Sequence, residues 1–391
     1  MREGDGTRVA VVMGGICGER DVSLRTGACV VAHLADRYRV KPVEIHRDGA
    51  WSVPRGFVGD ELAASRDEWF RGERQSALDA LGRLRSDGVV ALVNALHGPG
   101  GEDGTIQGLW RNAGFAFTGP DVAPAAVTMD KRLTKLVLRG SGIPTPIGFE
   151  FPVGRGTERL EWPRWAEARA AEVEFPWIVK PICLGSSVGV ERFANVDEFL
   201  ARAREVGDEL WRPRPELAGS GSIVERVVQG RELTCGVLEA DGPPRALAPI
   251  EIRPRRSAFF DYDAKYTPGA SEEICPAPLS PALTRAVEEL AVRVHSILEC
   301  APLSRTDIFL VERDPVMADR ESIRRSTPDA TAGGEPFELV VLEINTLPGM
   351  TETSLIPQSA KHEGIELATL FDALVRHALR REGARDNLGR L

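Results

Sequence analysis

The sequence predicts an α/β protein: a parallel, doubly wound sheet at the N-terminus, followed by two smaller α+β regions. Three observations carry this. The first 120 residues alternate short valine-rich runs with helical periodicity, as buried parallel strands and their crossover helices do. Beyond residue 120 the strands come closer together and mix with helices without that strict alternation. A chain of 391 residues exceeds what one core usually serves, so two or three domains are expected.

The opening RVAVVM is an apolar run that Gly14 and Gly15 end, the pattern of a strand buried on both faces. Helical periodicity follows over residues 21–35, then strands near 40–45, 87–96 and 115–119. Residues 121–141 read as one helix, ended by the GIPTP turn, where a glycine and two prolines forbid continuation. The next strands are WIVKP at 177–181, SVGVERF, SIVERVV and RELTCGVLEA, with a helix from about residue 196. The last third holds strands around 246–253, a helix over 281–300, the two strands LSRTDIFLV and FELVVLEIN, and a closing helix over 365–381. Between the two strands, residues 313–336 are polar, rich in Pro, Gly, Ser and Thr, and aperiodic. They read as a mobile insertion in a hairpin. Domain boundaries fall near residues 120 and 228.

Composition narrows the function. With 49 basic and 58 acidic side chains the formal charge is −9, which argues against a nucleic-acid partner. The six cysteines form no CxxC pair and lie near no paired histidines, so zinc and disulfide readings are weak and reduced thiols in a cytoplasmic protein fit best. No segment reaches the roughly 20 apolar residues that a membrane span needs.

Four stretches carry chemistry. In LEIN, Glu343 and Asn345 are two apart and face one side of a strand. If the preceding strand pairs with it, Asp307 of SRTDIF lies opposite. Three oxygen donors on adjacent strands suit magnesium, which takes few protein carboxylates and completes its shell with water and phosphate. Taken alone, the same spacing fits polar residues at a sheet edge. In IVKPICLGSSVGV, Lys180 ends a buried strand beside a glycine turn at 185–189, a combination that can cradle phosphate through backbone N–H groups, or be a hairpin tip with a surface lysine. The loop NALHGPGGEDGTIQG follows a buried strand, where open α/β sheets bind ligands. His97 within it also reads as an ordinary structural histidine. GGICGERDVSL places Glu19 at a helix start, where the macrodipole stabilises a carboxylate whatever else it does.

Together and in this order, these stretches resemble the D-alanine–D-alanine ligases over nearly the whole chain. The stretches that carry the resemblance are GGICGERDVSL, LHGPGGEDGTIQG, MDK at 129–131, VKPICLGSSVG, VERVVQGRELTCGVL, FFDYDAKY, SRTDIF and LEINTLPGMTETSLIP. The resemblance implies the ATP-grasp fold. A Rossmann-like domain would cover 1–120, a central lid domain 121–228, and a C-terminal domain 229–391 with the metal and catalytic site, the last two sandwiching ATP. It implies that Lys131 and Lys180 hold ATP phosphates, that Lys265 meets the γ-phosphate, and that Glu225 and Glu232 bind adenosine. Asp307, Glu343 and Asn345 would hold two magnesium ions, with manganese able to replace them. Glu19 would bind the ammonium of the first amino acid and His97 would lie by its carboxylate. Arg305 and the Gly349 N–H would form an oxyanion hole. Ser354 and Leu355 would take the second carboxylate, and Ser186 and Tyr266, linked to Glu19, would close a lid. The implied substrate is D-alanine, the implied assembly a homodimer, and neither nucleic acid nor membrane is a partner.

The chain departs from the pattern in places. Cys183 and Leu184 are apolar where many members carry a charge, Glu352 is unusual before Ser354, and the 313–336 insertion is long. The apolar pair Cys183–Leu184 and the long insertion motivate a rival: an ATP-grasp ligase joining other amino acids in secondary metabolism. Tyr266 resembles dipeptide-forming members rather than those that make D-alanyl-D-lactate. A nucleotide-binding module without turnover would usually lack a lysine or metal ligand, and all are present here. A nicotinamide-dependent oxidoreductase would need an acid after the second strand, where Glu44 is the only candidate.

Overall fold

A computed structural model describes residues 6–59, 69, 73–151, 162–185, 189–206, 221–254, 271–312 and 337–388, and among these three sheets form. The first contains β1 (Arg8–Gly14), β2 (Arg39–Ile45), β3 (Trp51–Ser52), β4 (Arg74–Gln75), β5 (Ala91–Asn94) and β6 (Ala116–Phe117), in the order β4-β3-β2-β1-β5-β6. β1, β2, β5 and β6 are parallel, as the valine-rich runs predict. Successive β1 residues serve opposite faces. Val9, Val11 and Met13 enter one core, with Val30 and Leu34 of α1 (Arg20–Leu34). Ala10 and Val12 enter the other, with Leu81 and Leu84 of α2 (Ala77–Ser86) and Trp110 of α3 (Thr105–Asn112). β3 and β4 add an antiparallel edge that the sequence reading did not contain. The link from β2 to β3 is a tight turn in which His46 N–H donates to Ala50 O. A parallel neighbour would need a crossover of a dozen residues or more.

The second sheet is antiparallel, in the order β7-β10-β8-β9, from β7 (Gly148–Phe151), β8 (Trp177–Pro181), β9 (Glu191–Phe193) and β10 (Ser222–Arg226). Its core centres on Trp177 and Phe199, whose rings meet edge to face at 5.4 Å beneath the helices α6 (Trp162–Glu172) and α7 (Val196–Val206).

The third sheet runs β14-β13-β11-β15-β16, with β12 (Arg245–Ala246) also on β11. Its strands are β11 (Arg231–Leu238), β13 (Ile250–Pro254), β14 (Ser271–Ile274), β15 (Leu303–Glu312) and β16 (Phe337–Asn345). α8 (Pro281–Ile297) packs Val287, Ala291 and Val294 on Leu233, Ile308 and Val341.

The single helix expected over 121–141 is two, α4 (Val122–Met129) and α5 (Lys131–Gly140). Asp130 between them is extended (φ −86°, ψ 102°), and its carboxylate accepts from the N–H groups of Arg132 and Leu133. A short acceptor side chain that caps new N–H groups restarts the helix instead of continuing it. α5 leans on the third sheet, where Leu138 joins the core of Leu233 and Ile308. After α9 (Leu355–His362), α10 (Leu367–Leu388) returns to the first sheet. Phe371 and Leu374 pack beside Val30 and Leu34, and Tyr38 Oη donates to Asp372 at 2.7 Å. The last helix therefore ties the first and third sheets together. Among the described residues, no helix is long and apolar enough to cross a membrane.

Candidate active site

The β15–β16 hairpin pairs Asp307 with Glu343 and Arg305 with Asn345, so the three oxygen donors expected to face one another do so. The register then shifts: Ile308 pairs with Val341, and Leu342 is the extra residue of a bulge. Two carboxylates opposed in this way repel unless cations lie between or beside them. Here Arg305 forks onto Asp307, with Nε 3.0 Å from Oδ1 and Nη2 2.9 Å from Oδ2, and Thr234 Oγ1 donates to Oδ1 at 2.7 Å. Lys131 Nζ stands 3.8 Å from Glu343 and donates to Leu184 O at 2.6 Å. Burial disfavours the Arg305 charge, yet Asp307 outweighs it and the guanidinium pKa is raised.

Behind this pair sits a buried charge cluster. Glu225 has no exposed side-chain surface. Its Oε1 is 2.7 Å from Lys135 Nζ and its Oε2 is 2.8 Å from Lys180 Nζ. Burial alone would push the carboxyl pKa up; the two ammonium groups win and hold it at about 2. Lys135 also donates to the Leu342 carbonyl at the bulge, at 2.8 Å.

Glu19 occupies the N-cap position of α1, where its side chain makes no capping hydrogen bond and three loops converge. A Cβ on Gly98 would lie 2.5 Å from Glu19 Oε2, and one on Gly185 would lie 3.3 Å from both oxygens. Gly98 also has φ +67°, so glycine is required there twice over. His97 is buried, with Nε2 3.0 Å from Thr26 Oγ1 and Nδ1 3.5 Å from Glu102 Oε1. Across the cavity, Ser354 precedes α9, and its Oγ accepts from Thr351 N–H at 3.1 Å. A Cβ on Gly349 would meet that Oγ at 3.0 Å.

These groups line two cavities. One, of about 640 Å³, is walled by Lys131, Lys180, Glu225 and Glu232. The other, of about 480 Å³, is walled by Glu19, His97, Arg305, Asn345, Gly349, Ser354 and Leu355. Gly185, Ile252, Asp307 and Glu343 belong to both, so the cavities meet at the acid pair.

Among the described residues, no three of His, Cys, Asp and Glu converge on a metal position. The donor set here is two carboxylates and one amide, whose oxygen accepts from Leu347 N–H at 2.8 Å. That set fits magnesium, which keeps several waters and takes oxygens from phosphate.

Comparison with known proteins decides the family. The model described as D-ala D-ala ligase N-terminus matches residues 8–120, and the one described as D-ala D-ala ligase C-terminus matches 137–319 and 334–376. The chain belongs to the D-alanine–D-alanine ligase family. A D-alanine–D-alanine ligase of Methylobacterium radiotolerans is 36% identical over 375 residues, covering 95% of this chain and 97% of that one. Among solved structures, the D-Ala:D-Ser ligase VanG of Enterococcus faecalis aligns with TM-score 0.69 at 26% identity, covering 95% of this chain and 99% of its own. The Bacillus anthracis D-alanine–D-alanine ligase complexed with ATP aligns with TM-score 0.65 at 25% identity, covering 97% and 99%. The two C-terminal matches break inside the 313–336 insertion.

In this D-alanine–D-alanine ligase family member, most of the site residues named from sequence come together around the two joined cavities. Ser186, Lys265 and Tyr266 lie outside the described residues. Lys135, Thr234 and Glu102 were not foreseen. Lys135 follows Lys131 by four residues, one helical turn, a spacing that a solvated helix face shows equally.

Proposed function

We propose that this chain joins two D-alanines into D-alanyl-D-alanine, converting ATP to ADP and phosphate. The meeting of a lysine-lined cavity and a second, mixed-charge cavity at Asp307 and Glu343 is the observation that carries this reading. A phosphoryl donor on one side and a carboxylate acceptor on the other would react at that junction.

Glu19 would hold the ammonium of the first D-alanine, with His97 beside its carboxylate. That carboxylate attacks the γ-phosphorus; a new P–O bond forms, the bond to the β,γ-bridging oxygen breaks, and ADP leaves. Lys131, Lys180 and Lys265 would spread the charge of the phosphates, and Glu232 would bind the ribose. Glu225, expected at the adenine amine, has its carboxylate buried between Lys135 and Lys180, so its part in adenosine binding would fall to its backbone. Asp307, Glu343 and Asn345 would hold two magnesium ions, or manganese, which when bound neutralise charge on the phosphoryl group. The neutral amine of the second D-alanine then attacks the acyl carbon; the C–N bond forms, the C–O bond breaks, and phosphate leaves with the proton the nitrogen gives up. Asp307 uses Nε and Nη2 of Arg305. Nη1 is thus left to join the Gly349 N–H at the oxyanion, where each donor contributes about 3 kcal/mol. Ser354 and Leu355, at the start of α9, would receive the second carboxylate. The acyl phosphate is hydrolysed by water, so Ser186 and Tyr266, with Glu19, would close the site. The homodimer and the cytoplasmic location belong to the same proposal, as does the division into domains 1–120, 121–228 and 229–391.

The test is phosphate release by the purified enzyme with ATP, magnesium and a panel of amino acids that includes D-alanine, D-serine and the L-enantiomers. D-alanine should give the highest kcat/KM. Release with L-amino acids and none with D-alanine overturns the proposal in favour of the secondary-metabolite ligase.

A further inference from the structure

We infer that Lys135 is a positioning residue for nucleotide binding, acting on Lys180 through their shared carboxylate, Glu225. This rests on the reading of the lysine-lined cavity as the nucleotide site.

Lys180 lines that cavity, whereas Lys135 lies behind it, its side chain only 2% exposed. One carboxylate serves two ammonium groups, Glu225 Oε1 at 2.7 Å from Lys135 and Oε2 at 2.8 Å from Lys180. A one-to-one pair of Glu225 and Lys180 would be neutral, and a phosphate would have to compete with Glu225 for the lysine. With Lys135 present, the carboxylate is shared and the cluster keeps a positive charge facing the cavity. Glu225 and Lys135 are 0% and 2% exposed, so this difference is weakly screened at their end of the cluster.

The second contact supplies the geometry. Leu342 is the bulged residue that the ladder leaves unpaired, and its carbonyl is taken by Lys135 at 2.8 Å. Lys135 therefore ties α5, which begins at Lys131, to β10 through Glu225 and to β16 one residue before Glu343. Lys131 and Glu343 thus sit on elements tied to one ammonium, and the Glu225 carboxylate carries the tie on to the Lys180 side chain. The groups around Lys135 fit this role: burial lowers its pKa to about 8, with Glu225 opposing, while Lys180 stays protonated because Glu225 and Glu343 offset its own burial.

The experiment compares the parent with Lys135→Gln and Lys135→Arg. Each is tested for the affinity of a non-hydrolysable ATP analogue by calorimetry, for steady-state kinetics, and for thermal melting. Lys135→Gln should weaken nucleotide binding and raise the KM for ATP about tenfold, with the KM for D-alanine within threefold. Lys135→Arg should restore the nucleotide affinity to within threefold of the parent. A folded Gln variant with unchanged nucleotide affinity overturns the inference, as does an Arg variant, folded, that binds no better than Gln. Should the Gln variant fail to fold, the Arg variant decides alone: affinity within threefold of the parent supports the role, and a loss above tenfold removes it. Nucleotide binding is read without turnover, so a failure here is distinct from a failure of the proposed D-alanine ligation.

Discussion

Asp307 and Glu343 are register partners across the β15–β16 hairpin, and both face the wall common to the two cavities. Both oxygens of Asp307 are taken by Arg305, and Lys131 Nζ stands 3.8 Å from Glu343. Glu343→Gln keeps the shape and removes the charge that would bind metal. Turnover should fall at least about a hundredfold, a typical loss when a group stabilising the transition state is removed. The melting temperature should stay within a few degrees, because the side chain is a third exposed. Phosphate release and circular dichroism measure both; activity within tenfold of the parent removes the metal assignment.

The Lys135–Glu225–Lys180 cluster makes stability depend on pH. The Glu225 pKa drops from its ordinary 4.5 to about 2 in the fold. A depressed carboxyl contributes its full stability above 4.5 and loses it progressively as pH falls toward 2, because the unfolded chain then binds the proton first. Denaturant unfolding followed from pH 7 to pH 3 should show this loss below about pH 4.5 in the parent. Glu225→Gln should flatten that limb and cost about 3–5 kcal/mol at pH 7, since two buried ammonium groups lose their counter-charge. Parallel pH curves for the two proteins would show that the fold does not lower the Glu225 pKa.

How far the sequence could be read depends on what each residue does locally. The strand β1 and the β15–β16 pair are legible because alternation and apolar runs report burial directly. Asp307, Glu343 and Asn345 are legible for the same reason: their spacing fixes their side of the ladder. The β3–β4 edge is only two residues per strand and offers no period to detect. The break at Asp130 was signalled by an Asp before Lys-Arg-Leu, an N-cap pattern hidden inside continuous helical periodicity. Lys135 reads as a solvated helix lysine, since lysines are seldom buried unless paired. Its partners, Glu225 and the Leu342 carbonyl, come from strands 90 and more residues away, and only the fold assembles them.

Gly98 links the histidine loop to Glu19. An alanine there would place its Cβ 2.5 Å from Glu19 Oε2, at a φ of +67° that side chains avoid. Gly98→Ala should displace the Glu19 carboxylate and raise the KM for the first amino acid about tenfold or more, leaving the ATP KM within threefold, since Gly98 borders the second cavity and not the first. Equal effects on both KM values would mean a general loss of structure instead of a displaced carboxylate.

The 313–336 insertion leaves from Glu312 and returns at Phe337, and these two residues pair directly across the hairpin. A two-residue turn of the Asn-Gly type closes such a pair, so the ladder itself requires nothing longer. The ends of the loop are already held together, so shortening it alters a loop-closure entropy that varies slowly with length. Replacing 313–336 with Asn-Gly should therefore leave kcat/KM for ATP within about threefold and the melting temperature unchanged or slightly raised. Asp307 and Glu343 stand several residues from that end of the ladder, on the side where β15 begins and β16 finishes. A loss of activity above tenfold, in a variant that melts like the parent, would assign the insertion a direct part in the reaction.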